Sequence, residues 1–248
     1  MKYLKYGLGF LLLVILLGIL ALRLFVHESA PTIIEDKDAQ AKAQQMLKAV
    51  NKEAWDTLPY ISWSFPRGHD FVWDRIKNDA LVTWGDKTVH LDPDEVTGKA
   101  YKGDVLLKGE ESNKTIQEAW SLWCNDMFWL SAPYKILDKG VSLKIATDKD
   151  GKEGLLATYD SGGVTPGDSY LWYLDDNGLP TGYKMWVGII PIVGGVYTSW
   201  TGWTEVEGGA KIATEHQGNI SALKIDITNL KAGDSWSDLG YDKSPINL

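Results

Sequence analysis

The sequence predicts an α+β protein: a curved antiparallel sheet with two helices packed against it, preceded by one N-terminal membrane-spanning helix. Three observations predict it. Tyr6 to Leu22 is a seventeen-residue stretch without a charge. Two later segments repeat apolar residues at helical spacing. Nearly everything else alternates polar and apolar residues with period two, between turn signals rich in glycine, which is the pattern of hairpins in a sheet with one buried face.

The charge-free stretch reads YGLGFLLLVILLGILAL, and Leu24, Phe25 and Val26 extend it to the length a bilayer core requires. Lys2 and Lys5 precede it and Arg23 follows. With the terminal amine, that imbalance keeps the N-terminus in the cytoplasm and exports the rest. The apolar run exceeds a signal-peptide core, and the cleavage-like site Glu28-Ser29-Ala30 has Glu at its −3 position and Pro31 after it. Residues 1–30 therefore read as an uncleaved anchor, with residues 6–26 meeting lipid. The expected location is the cytoplasmic (inner) membrane, single-pass, with the C-terminal domain in the periplasm. No cysteine directly follows the run, so a bacterial lipid anchor is excluded.

Residues 31–38 read as a short polar tether, 39–231 as the folded domain and 232–248 as a loose tail. Ala39, Ala43, Met46, Leu47, Val50 and Ala54 place an amphipathic helix over 37–54. Ile116, Ala119, Trp120, Trp123, Cys124 and Met127 mark a second one, which Thr115 and Glu118 start as a capping box. Strands follow from alternation: Ile61, Trp63 and Phe65 on one face; His69, Phe71, Trp73 and Arg75 on another; Leu223, Ile225 and Ile227 on a third. Asp150-Gly151, Asn177-Gly178, Gly208-Gly209 and Gly218-Asn219 supply the turns.

Composition excludes several function classes. The 248 residues carry a formal charge of −8, and beyond residue 30 there are 22 positive and 32 negative side chains, a net of −10. No basic patch exists to displace counterions from nucleic acid, and any membrane contact of the exported body must be apolar. A single cysteine, Cys124, excludes an intramolecular disulfide and a thiolate zinc site. His27, His69, His90 and His216 lie too far apart in sequence to suggest a metal site. There is no G-x-S-x-G elbow and no phosphate loop; Gly162-Gly163 and Gly194-Gly195 lack the strand–loop–helix context. Asp148 to Gly151 reads as a hairpin turn rather than a calcium loop. His69, with Asp70 and Asp74 on the opposite strand face, is open to a general-acid or general-base role because imidazole titrates near neutrality. Since such catalysis needs a positioned partner, the favoured reading is a strand-end histidine bonded to its neighbours. No catalytic residue, cofactor or metal is expected.

The aromatics are the unusual feature: 12 Trp and 11 Tyr against 5 Phe, with every Trp at or beyond Trp55. Trp63, Trp73 and Trp186 alternate with the apolar set of their strands, while Trp120, Trp123 and Trp129 surround the second helix. Such rings fill a core or line a cavity, and both readings stay open here. Met185 to Thr204 holds no charge and reads as a hairpin with an apolar tip, Gly188 to Gly195. Buried, that tip caps the core; exposed, it is a patch suited to a membrane surface or a lipid-like ligand.

Three segments carry a resemblance: NDMFWLSAPYKILDKGVSL (Asn125 to Leu143), GGVTPGDSYLWYLDDNGLPTGYKMW (Gly162 to Trp186) and YTSWTGWTEVEGGAKIATE (Tyr197 to Glu215). With the stretch from Trp55 to Trp73, they resemble a family of uncharacterised exported bacterial proteins with a LolA/LolB-like fold. The resemblance spans roughly residues 40 to 230. It implies a half-open β-barrel lidded by helices, with an aromatic cavity that holds acyl chains. The cavity candidates are Trp63, Phe65, Phe71, Trp73, Trp120, Trp123, Trp129, Trp172, Met185, Trp186 and Trp200, with Arg75 as candidate for the family's cavity arginine. Ile189, Ile190, Pro191, Ile192 and Val193 would form the mouth. The expected function is a non-catalytic, membrane-anchored periplasmic module that binds a lipid or lipid-like apolar molecule; the alternative is an envelope protein-interaction or sensor module using the same groove. LolA is a free shuttle and LolB is lipid-anchored, so a carrier role for this tethered chain would be local.

Overall fold

The computed structural model describes residues 2–34, 37–161, 165–189, 192–220 and 223–248; the side chains of 2–5, 8, 9, 22 and 25 lie outside that description. Gly162, Gly163, Ile190 and Pro191, singled out above, fall outside it too. The first element, α1 (Lys2–Phe25), is helical for 24 residues, about 36 Å of axis. Its described apolar side chains from Phe10 to Leu20 are all exposed. Among the described residues no helix is long and apolar enough to cross a membrane.

The body is α+β, with every strand pair antiparallel. Numbered in chain order, β1 (Thr32–Ile34), β8 (Val141–Thr147), β9 (Glu153–Tyr159), β10 (Asp168–Leu174), β11 (Pro180–Trp186) and β12 (Val196–Ser199) form a six-stranded sheet. A seven-stranded sheet runs from β16 (Thr228–Gly233) through β2 (Tyr60–Phe65), β3 (His69–Asp74), β4 (Asp79–Trp84), β5 (Lys87–Asp92) and β6 (Thr97–Lys102) to β7 (Val105–Leu106). Between them lies a three-stranded sheet of β13 (Thr201–Glu205), β14 (Lys211–Gln217) and β15 (Lys224–Asp226).

One continuous curved sheet is therefore corrected to three, none of which closes on itself among the described residues. The chain breaks at Trp200: β12 stays with β11, while β13 turns away to pair with β14. Two stitches cross the gaps. One is the bridge of Thr198 to Gly218; the other is the chain itself, which extends the β14–β15 ladder through the Ile227 N–H to the Thr214 carbonyl at 2.8 Å and then passes from β15 into β16.

The helices pack against these sheets. The helix expected over 37–54 is two, α2 (Ala39–Val50) and α3 (Lys52–Thr57), split because Asn51 adopts the left-handed conformation. Asn51 serves both ends: its N–H closes on the carbonyls of Leu47 and Lys48, and its side chain accepts from the Ala54 N–H. The long helix α4 (Gly109–Ser131) begins six residues before Thr115, which corrects the capping-box reading. Thr115 sits inside the helix and bonds back to the Glu111 carbonyl at 2.9 Å, while Glu118 pairs with Lys87. Glu110 and Glu111 favour the start through the helix dipole.

Ile116, Ala119, Trp123, Trp129 and Leu130 form the buried stripe of α4, within one core that includes residues of α2, α3 and the inner faces of all three sheets. A second, small cluster of Ala146, Leu156, Leu171 and Tyr173 sits on the outer face of the six-stranded sheet, with Trp186 against it. Two stretches are more ordered than their polarity suggested. The tether contributes β1, paired with β8. The expected loose tail is packed: Trp236 lies on Tyr60 at 4.1 Å, Leu239 is buried, and the Asn247 N–H donates to His90 Nδ1 at 2.9 Å.

Candidate functional site

The inner face of the six-stranded sheet presents a row set by register. Trp172 stands opposite Tyr183, and Tyr183 opposite Thr198, so β10, β11 and β12 carry the three side by side on one face. Trp200 adds its ring against Trp172 at 4.9 Å and Tyr183 at 5.7 Å, and His216 of β14 lies 4.5 Å from Trp200. Trp129 of α4 closes the group, 5.8 Å from Tyr183 and 5.3 Å from His216.

Apart from Trp129, each of these residues carries a buried polar atom without a hydrogen-bond partner among the described residues: the indole nitrogens of Trp172 and Trp200, the hydroxyls of Tyr183 and Thr198, and both ring nitrogens of His216. The Trp200 indole approaches the Tyr183 hydroxyl, and the carbonyls of Ser199, Ala213 and Trp129 surround the His216 ring, without reaching bonding geometry. Burial pushes the His216 pKa down to about 4, so the ring is neutral at pH 7. The row is thus uncharged and rich in donors, inside an apolar core where unpaired polar groups are costly.

A second aromatic group surrounds α4 on the other side. Trp63 stacks on Phe71 at 4.9 Å, and Trp123 meets Trp63 at 5.9 Å and Trp73 at 5.1 Å. Phe65 and Trp120 pack at its margin. Arg75 lies beyond the end of β3 and is a staple. Its guanidinium sits 4.2 Å over the Trp55 ring and donates to the carbonyls of Trp55 and Leu58, the last turn of α3. Burial lowers its pKa to about 10, still charged at neutral pH.

The sequence set is therefore divided. Trp63, Phe71, Trp123, Trp129, Trp172, Met185 and Trp200 belong to the main core, with Phe65, Trp73 and Trp120 partly buried against it. Trp186 does not join them, because adjacent residues on a strand face opposite ways and Met185 takes the inner side. At the expected mouth, Val193 is buried and packed in the core, Ile192 is half-buried and Ile189 is exposed. Two clefts open on the surface elsewhere. One of about 470 Å³ runs along β14 and β15 past Thr214, Glu215, His216 and Lys224. The other, about 360 Å³, lies between β6 and the first turns of α4. Neither is lined by any of the expected aromatics.

Sequence reasoning missed two polar constellations. His69 does have a partner: Asp126, on the buried stripe of α4, meets its Nδ1 at 2.7 Å and accepts from Asn125 Nδ2 at 2.7 Å. Burial holds the Asp126 pKa above the usual carboxylate value, against the pull of His69 and Asn125. The signal was an acid in phase with apolar residues, which needs a partner once buried. The pair ties β3 to α4. No group of three or more potential metal ligands exists among the described residues.

The other constellation is ionic. Lys184 Nζ on β11 donates to Glu28 Oε2 at 2.8 Å and to Asp148 Oδ2 at 2.8 Å, and the Tyr173 hydroxyl also donates to Asp148. Burial works to raise the Asp148 carboxyl, but Lys184, Tyr173 and the Lys152 N–H outweigh it and bring it to about 2. Around it, residues 27–29 are bound to the body. The Gly194 N–H donates to His27 Nδ1, the Glu28 N–H donates to the Gly194 carbonyl, and Trp186 Nε1 donates to the carbonyls of Glu28 and Ser29. Gly194 and Gly195 are required for this approach: a Cβ at either would run into Trp186 or Glu28, and Gly195 has φ +75°.

Fold and site together define an antiparallel α+β body with an aromatic, donor-rich interior. No protein-family model and no curated protein matches the chain. Among solved structures, it is similar to a DUF1329 family protein from Desulfovibrio piger, with a TM-score of 0.40 and 14% identity over 84% of this chain and 99% of that chain. A likeness at that score bears on neither site nor activity.

Proposed function

We propose that this protein is a non-catalytic, membrane-anchored module of the bacterial periplasm that binds a lipid or lipid-like apolar molecule in the interior of a LolA/LolB-like half-open barrel. The observation that carries this reading is the row of Trp172, Tyr183, Thr198, Trp200 and His216. It offers uncharged hydrogen-bonding groups that lack protein partners, inside aromatic walls. A molecule that satisfies it has an acceptor oxygen on an apolar chain, as an acyl ester or amide does. The anchor rests on the exposed apolar surface of α1. Glu28 supports retention of that anchor: cleavage after Ala30 would remove the carboxylate that Lys184 holds.

Native mass spectrometry of the full chain, released from detergent micelles after extensive washing, tests the reading. A retained acyl species at one per chain is expected. Thr198→Val keeps the shape but removes one unpaired hydroxyl, and is expected to weaken retention several-fold. Detergent adducts alone, with no tryptophan fluorescence response to added fatty acid, would overturn the reading.

A further inference from the structure

The two ends of the connection between β11 and β12, Trp186 and Gly194, are held directly against the end of the anchor helix. α1 ends at Phe25, and by His27 the chain is bonded to Gly194. The Glu28 N–H reaches the same glycine's carbonyl at 2.9 Å, and Trp186, at the start of the loop, grips the carbonyls of Glu28 and Ser29 at 2.9 and 3.1 Å. Lys184 closes the junction through the Glu28 carboxylate. Only Val26 separates the last helical residue from this bonded cluster, so both ends of the loop stay beside the helix end. Ile189 is five residues from Gly194, which limits its distance to about 17 Å.

The surface on both sides of the junction is apolar. Leu24 and Val26 are exposed, and Ile189 is 67% exposed. No charged side chain occurs from Met185 to Thr204, apart from Lys184 just before it, which is buried and paired. A lone exposed isoleucine needs no explanation in general. One placed beside the exit of a helix that is apolar all round continues that helix's surface, and whatever covers the helix is at hand to cover the loop.

We propose that Ile189 is a second membrane contact: its side chain inserts into the interfacial layer of the bilayer that α1 spans, and the body is held to the membrane at two points. This rests on the reading of α1 as a membrane span. The occupant is the lipid surface itself, entered by apolar burial. An exported body with a net charge of −10 gains nothing from anionic headgroups, so the contact is insensitive to salt and does not require acidic lipid.

The experiment uses the full chain in phosphatidylcholine vesicles, with Cys124→Ala removing the native thiol. Ile189→Cys carries an environment-sensitive dye, and Ile76→Cys, 71% exposed in the β3–β4 turn of the seven-stranded sheet, is the control. Lipids brominated near the headgroup end of the acyl chain are expected to quench the dye at 189 several-fold more than at 76, equally at low and high salt. Equal quenching at the two sites, in protein that floats with the vesicles, would overturn the second contact and leave the anchor standing. Protein that does not float would overturn the anchor reading and the loop contact with it.

Discussion

His216 shows what a single residue contributes to this core. It is 1% exposed, its ring lies against Trp129 and Trp200, and burial pushes its pKa down to about 4. Unfolded histidine titrates near 6.5. Between those values the unfolded chain takes up the proton and the folded chain does not, so stability is complete above the unfolded pKa and falls as pH drops toward 4. The loss is at most about 3 kcal/mol for this shift. Urea unfolding at pH 7 and pH 4.5 is expected to show a lower midpoint at the acid value, and His216→Leu is expected to remove most of that difference. The Asp148 carboxyl, held down to about 2, acts in a lower window and does not confuse the comparison. From sequence, His216 was one histidine among four. Its burial follows from a strand alternation, Ile212, Thr214 and His216, whose significance appears only once Trp200 packs over it.

At the scale of elements, the hairpins were legible because their information is local. Asn177-Gly178 and Asp150-Gly151 do lie in the β10–β11 and β8–β9 turns, with Gly178 at φ +88° and Gly151 at φ +78°. The helices were legible in phase but not in extent, since Asn51 interrupts one and α4 starts earlier than its apolar stripe. Arg75 illustrates the limit. Alternation places it on the face of Phe71 and Trp73, and the family resemblance implies a cavity cation there, but the strand ends at Asp74 and its side chain turns to the C-terminal carbonyls of α3. Arg75→Ala is expected to lower stability by about 2–4 kcal/mol, through the lost charged bonds and the stack on Trp55. Arg75→Lys is expected to restore only part of it, because an ammonium lacks the planar fork. Thermal unfolding of the two variants checks both. A ligand-binding arginine would behave differently, losing retained lipid with the melting temperature unchanged.

For the whole molecule, the longest-range information is at the N-terminal junction, where residues 27–34 complete the sheet through β1 and the Glu28–Lys184 pair. No local pattern announces a bond between positions 156 apart. A fragment beginning at His27 keeps that pair, whereas one beginning at Pro31 leaves Lys184 with Asp148 and the exposed Asp150. The shorter fragment is expected to be less stable by about 1–3 kcal/mol, measured by urea unfolding, because a buried charge loses a partner. The same junction bears on the order of assembly. Glu28 is synthesised well before its partner, which lies on β11. At ordinary translation speeds of about 5–20 residues per second, the carboxylate waits roughly 8–30 s for Lys184 to be made. Residues 27–29 therefore stay unfastened until β11 has been made, so the stem of the N-terminal helix is joined to the body only after β2 to β7 already exist.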